Sequence, residues 1–99
     1  MTPEGKVKAR AKKLLDSVGA YYFMPATGGY GRSGVPDIVG CLNGVFFAVE
    51  CKANGGRPTA LQSREIDRIN AVGGFAIVVD EDTVDLLASL PKLLGERDL

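Results

Sequence analysis

Apolar positions along the chain change period several times, and each change marks an element. Val7, Ala11, Leu14, Leu15 and Val18 recur at the 3.6-residue spacing of a helix over Pro3–Val18 with one buried stripe. Thr2 is a favourable N-cap, Pro3 suits the first helical position, and Gly19 ends the run. Ala20–Met24 reads as a short strand, and Pro25 leads into the loop Ala26–Gly34, which carries four glycines. Val35–Leu42 and Val45–Lys52 are apolar, β-branched runs split by Asn43-Gly44, the preferred two-residue hairpin turn. Ala53–Arg57 is a polar loop, and Thr59–Val72 predicts a second helix. It opens on the capping-box pattern Thr59-x-x-Gln62 and closes on Gly73-Gly74. Phe75–Val79 is a continuous apolar run, the pattern of a strand buried on both faces. Thr83–Leu94 reads as helical, broken at Pro91. The order α-β-β-β-α-β-α predicts one α/β domain over residues 1–99.

The hairpin carries polar chemistry in an otherwise apolar frame. With Asn43-Gly44 as the turn, Leu42 faces Val45, and the register carries Asp37 opposite Glu50. Such residues have Cβ atoms about 4.5–5.5 Å apart on one face. Lys52 shares that face by strand alternation. Two opposed carboxylates repel unless a cation lies between them. Lys52 alone leaves one negative charge over, whereas a hard divalent ion suits carboxylates on rigid strands. Glu4 is a further anomaly. The helix dipole explains a carboxylate in the first turn, but not its place three residues before Val7 within the apolar stripe.

Composition narrows the chemistry. Twelve Lys plus Arg balance twelve Asp plus Glu, and there is no His. That removes Ser-His-Asp and Cys-His catalysis and His-ligated zinc. Cys41 and Cys51 do not form a C-x-x-C pair, and both read as buried small hydrophobes. The loop Ala26–Gly34 lacks the G-K-[ST] ending of a P-loop. No leader-like or membrane-spanning apolar run is present, which predicts a cytoplasmic protein without a membrane partner. The neutral total hides an asymmetry. Residues 1–34 hold six basic and two acidic side chains, and residues 35–99 hold six and ten.

Val35-Pro36-Asp37 followed by Glu50-Cys51-Lys52 matches the PD-(D/E)xK nuclease pattern. With Gly34 to Gly40, Val49 to Lys52 and a following helix that carries Gln62, the chain resembles the VRR-NUC (virus-type replication–repair nuclease) branch. The resemblance runs from the Glu4 helix to the Phe75–Val79 strand. It implies a restriction-endonuclease-like α-β-β-β-α-β core, a mixed central sheet flanked by helices. It also implies that Asp37 and Glu50 bind Mg²⁺ or Mn²⁺ with the main-chain carbonyl of Cys51, that Glu4 completes the acidic cluster, and that Lys52 positions or activates water. Gln62 matches a polar residue that touches the site, with its capping role as the rival reading.

Nucleic-acid contact then falls to Lys6, Lys8, Arg10, Lys12 and Lys13 on the first helix and to Tyr30 and Arg32 in the glycine-rich loop. No base-reading motif is visible, which favours recognition of DNA shape. The implied activity is a metal-dependent, structure-selective DNA endonuclease, a homodimeric Holliday-junction resolvase of a bacterial or phage-infected cell. The alternatives are a nuclease acting on flaps or nonspecific DNA, and a non-catalytic DNA-binding module of the same fold.

Overall fold

The computed structural model describes residues 1–26 and 31–96. Helix α1 spans Pro3–Ser17, with the Thr2 side chain accepting from the Gly5 N–H at 2.9 Å. Strands β1 (Tyr21–Phe23), β2 (Ile38–Leu42) and β3 (Val45–Cys51) follow, then helix α2 (Ala60–Ala71) and strand β4 (Phe75–Val79). A 3₁₀ helix over Val84–Ser89 runs into helix α3, Leu90–Glu96.

Asn43 and Gly44 both take positive φ, 53° and 79°, as a primed two-residue turn requires. Leu42 therefore pairs with Val45, and the register continues to Ile38 opposite Val49. β1 adds antiparallel to β2, and β4 adds parallel to β3 through the α2 crossover, giving the sheet order β1-β2-β3-β4. This is a mixed sheet with helices on both faces.

Pleat alternation separates two cores. Ile38, Leu42, Phe47, Val49 and Cys51 pack with Val7, Ala11, Leu14 and Leu15 of α1 and with Leu87, Leu90 and Leu94. On the other face, Val39, Ala48 and Ala76 meet Ile66 and Ile69 of α2. Because α1 and α2 cover opposite faces, elements from both can converge only at an end of the sheet.

Several expectations shift. β4 is an edge strand with one neighbour, so Phe75, Ile77 and Val78 are only half-buried and the run is not enclosed on both faces. Cys41 is exposed while Cys51 is buried, because Cys41 shares its face with exposed Phe46 and Tyr21 where α2 does not reach. The helical break after Thr83 falls at Leu90 and not at Pro91. Pro91 sits in the first turn of α3, where its missing N–H costs nothing. β2 begins at Ile38, three residues later than the apolar run, which leaves Val35-Pro36-Asp37 as a turn into the strand.

Candidate active site

The end of the sheet where β2 begins and β3 stops gathers the chain's concentrated charge. One carboxylate oxygen each from Glu4, Asp37 and Glu50 can be chosen so that all lie within 4.8 Å of one another. Each arrives by a different route. Glu4 sits in the first turn of α1, which overhangs the sheet end. Asp37 directly precedes β2, and Glu50 is the penultimate residue of β3.

Asp37 is held by the sheet itself. Its Oδ2 accepts the Cys51 N–H at 2.9 Å. The β2–β3 register would put Pro36 opposite Cys51, but β2 has not yet begun there, and the Asp37 carboxylate takes the place of a ladder acceptor. Lys52 continues the chain past β3 with its N–H on the Val79 carbonyl at 2.9 Å, toward β4. The Cys51 carbonyl therefore faces the Asp37 side, as strand geometry requires of a residue whose N–H points there.

Two lysines flank the carboxylates. Lys52 Nζ is 3.3 Å from Glu50 Oε2, and Lys8 Nζ is 3.5 Å from Asp37 Oδ1. Glu50 is 1% exposed, and its Oε1 has no hydrogen-bond partner among the described residues. Burial, followed by the Asp37 charge, pushes its carboxyl up to about 7 against the opposing pull of Lys52. Burial also pushes the Cys51 thiol up to about 12, with Asp37 and Glu50 adding to the shift, so this cysteine is no nucleophile at neutral pH. A buried, unpartnered carboxylate oxygen beside two more carboxylates is a donor set suited to a hard divalent cation.

The chain is similar to known proteins at the level of both sequence and structure. No protein-family model matches it. It is 48% identical over 64 residues to a protein of Acyrthosiphon pisum secondary endosymbiont phage 1 named "Putative nuclease p44", a match covering 64% of this chain and 67% of that one. A solved structure described as a "VRR_NUC domain" superposes with a TM-score of 0.70 at 28% identity, covering 99% of this chain and 100% of that one. The chain belongs to the VRR-NUC family.

Within this VRR-NUC domain the remaining candidate residues divide by place. Gln62 closes the capping box: its Oε1 accepts the Thr59 N–H at 2.9 Å, and its own N–H donates to Thr59 Oγ1 at 3.2 Å. It also lines, with Asp37 and Arg32 to Val35, a groove of about 410 Å³. A second groove of about 420 Å³ is lined by Glu4 and Lys8 with Thr2, Ala53 and Asn54. Asp37 thus borders the first groove and Glu4 the second.

The basic residues of α1 do not act as one surface. Lys8 reaches Asp37, whereas Arg10 Nε bonds Asp85 Oδ1 at 2.9 Å, and Lys6 lines a groove with Glu81 and Asp85. Lys12 is half-buried and Lys13 exposed on the same helix. Tyr30 lies outside the described residues. Arg32 grips Glu65 with two nitrogens, each at 2.9 Å from a carboxylate oxygen, and Glu65 is the one buried residue of α2. Lys8 with Asp37 and Arg32 with Glu65, like Arg10 with Asp85, escaped sequence reasoning. The first had a signal, since Lys8 follows Glu4 by one helical turn and shares its face. The second joins residues 33 positions apart and had none.

Proposed function

We propose that this domain is a metal-dependent, structure-selective DNA endonuclease that resolves four-way junctions as a homodimer. One observation carries the reading: Glu4, Asp37 and Glu50 each bring a carboxylate oxygen within 4.8 Å of the others, and the buried Glu50 Oε1 has no hydrogen-bond partner among the described residues, with Lys52 beside Glu50. The donor set fits Mg²⁺ or Mn²⁺, with Asp37, Glu50 and the Cys51 carbonyl as ligands and Glu4 as a further ligand, direct or through water.

A phosphodiester is anionic and resists attack, so the cation supplies Lewis acidity at a phosphoryl oxygen and lowers the pKa of a water ligand. The protein's side chains do the remaining work. Lys52 holds its ammonium beside Glu50, where it orients the attacking water and offsets charge developing on the phosphoryl oxygens. Asp37, fixed by the Cys51 N–H, keeps its position without reorganisation during the reaction. Lys8 and Lys12 with Lys13 offer phosphate contacts that are independent of base sequence, as selection by DNA shape requires.

The homodimer reading draws on the sheet face that α2 leaves uncovered. Tyr21 (70% exposed), Phe23, Cys41 and Phe46 form an apolar patch across β1, β2 and β3. Continuous exposed apolar surface of this kind marks a protein contact. A two-fold pair presents two sites to a substrate that is itself two-fold.

The deciding experiment is cleavage of a labelled four-way junction, a flap and a linear duplex with Mn²⁺, by wild type and Asp37→Asn. Cleavage of the junction alone, lost in Asp37→Asn, is the expected result. Equal cutting of all three substrates overturns junction selectivity, and binding without any cutting overturns the enzyme reading.

A further inference from the structure

Both carboxylate oxygens of Asp37 are engaged, and by groups of different kinds. Oδ2 accepts the Cys51 N–H at 2.9 Å, and Oδ1 faces the Lys8 ammonium at 3.5 Å. Cys51 is a buried strand residue, so its N–H cannot leave. Lys8 is attached by a flexible four-carbon stem to a different element, and its side chain is 40% exposed. The second lysine of the site differs from it. Lys52 is 14% exposed and follows directly on β3, at the Glu50 carboxylate.

This asymmetry bears on metal entry and rests on the metal-dependent reading above. Of the two Asp37 oxygens, Oδ1 is the one whose only partner among the described residues is a mobile ammonium, while Oδ2 already accepts a fixed backbone N–H. An arriving divalent ion therefore competes with Lys8 for Oδ1. An ammonium on that same oxygen is repelled by an arriving divalent charge in a partly desolvated site, whereas Lys52 sits on Glu50 Oε2 and leaves Oε1 open to the ion. Lys8 must therefore withdraw. Its stem is rooted one turn from Glu4, and it lines the groove formed with Thr2, Glu4, Ala53 and Asn54. The displaced charge stays tethered at the mouth of the site, where a strand approaching the carboxylates would place a phosphate.

We propose that Lys8 is a stand-in cation and a substrate-positioning residue. It occupies Asp37 Oδ1 while the site holds no metal, and it transfers to a backbone phosphate of the DNA when a divalent cation takes that oxygen. Metal and DNA binding are then coupled through one side chain. The metal frees a phosphate contact, and by reciprocity the DNA removes a competitor of the metal.

The test compares wild type, Lys8→Gln and Lys92→Gln, the last removing the same charge from the exposed surface of α3. Mn²⁺ affinity is measured by calorimetry without DNA. Four-way-junction affinity is measured by fluorescence anisotropy in EDTA and in Ca²⁺ across a salt series. Lys8→Gln is expected to bind Mn²⁺ about 3- to 10-fold more tightly than wild type, whereas Lys92→Gln matches wild type. Lys8→Gln should also lose most of the Ca²⁺-dependent gain in junction affinity, with its salt slope in Ca²⁺ reduced by about 1. Unchanged or weaker Mn²⁺ binding by Lys8→Gln overturns the proposal, as does an undiminished Ca²⁺-dependent gain or equal tightening in Lys92→Gln. A wild type that binds no Mn²⁺ overturns the nuclease reading itself, which the other outcomes leave standing.

Discussion

The Asp37 carboxylate and the Cys51 backbone are bonded across the mouth of the hairpin, Oδ2 to N–H at 2.9 Å. Asp37 thus serves the sheet and the acidic cluster at once, and two substitutions separate these services. Asp37→Asn keeps an acceptor for the Cys51 N–H and loses only the charge. It should fold with nearly unchanged stability and lose cleavage by at least about 100-fold, the scale of removing a key electrostatic group. Asp37→Ala should lose cleavage equally and also about 1–3 kcal/mol of stability, because a backbone donor is orphaned. Urea denaturation beside a junction-cleavage assay checks both.

Lys52 Nζ lies 3.3 Å from Glu50 Oε2, and its side chain is 14% exposed, which leaves little of it open to a phosphate away from the carboxylates. Lys52→Ala should therefore abolish cleavage while junction affinity stays within about 3-fold of wild type, as expected when a transition-state contact is removed without substrate binding. Gel-shift titration in Ca²⁺ and single-turnover cleavage in Mn²⁺ supply the two numbers. A parallel loss of affinity would assign Lys52 to binding.

Glu50 makes the metal-free protein sensitive to pH. Burial and the Asp37 charge raise its carboxyl from 4.5 to about 7 in the folded state. Between those values the folded chain holds a proton that the unfolded chain has released, so stability falls as pH rises. The contribution is fully present below about 4.5 and gone above about 7. Its size is on the order of 3 kcal/mol. Thermal melts in EDTA should show wild type losing stability across this window, with Glu50→Gln flatter and more stable than wild type at pH 8. Mn²⁺ binding near pH 6.5 should release protons in wild type, detectable as a buffer-dependent calorimetric heat.

Legibility in the sequence followed the range of the determining interaction. The hairpin register could be read because Asn43-Gly44 sets it locally, and that register by itself puts Asp37 beside Glu50. The Thr59–Gln62 capping box could be read for the same reason. Cys41 could not, since its exposure depends on where α2 stops covering the sheet, which strand alternation does not encode. The edge position of β4 was hidden because an apolar run looks the same whether one neighbour or two follow. The Lys8 and Arg32 contacts depend on how helices dock, and charge alone gave each basic residue the same meaning.

Gly34 shows how tightly the turn before Asp37 is seated. Its φ is +82°, and a Cβ there would lie 2.5 Å from the Leu61 carbonyl oxygen in the first turn of α2. Gly44 shares the conformation, with φ +79°, but a Cβ there meets nothing within 4 Å. Gly44→Ala should cost about 1 kcal/mol from the left-handed backbone alone. Gly34→Ala adds a backbone clash that must push α2 from the loop, for a total of about 3 kcal/mol or more. It should also depress cleavage beyond what lost stability explains, because the displaced turn carries Asp37. Denaturant midpoints and cleavage rates at a temperature where both variants are folded make the comparison.

The uncovered sheet face supplies the last prediction. Tyr21, Phe23 and Phe46 are 70%, 51% and 48% exposed, and the first two rings meet edge-on at 6.5 Å between centroids. Edge strand β1 adds three residues with a free side to this patch. An edge strand flanked by exposed aromatics promotes pairing unless charge interrupts it, and no charged residue lies within β1. Tyr21→Asp with Phe46→Asp places two charges on this face without entering either core. On the proposed homodimer, wild type should sediment as a dimer, whereas the double variant should fold, sediment as a monomer at the same concentration and still bind Mn²⁺. On a four-way junction wild type should cut both strands and the double variant should give single nicks, since each acidic trio belongs to one chain. A double variant that remains dimeric by sedimentation velocity would place the interface elsewhere, and paired cuts from a monomer would show that one site suffices for both strands.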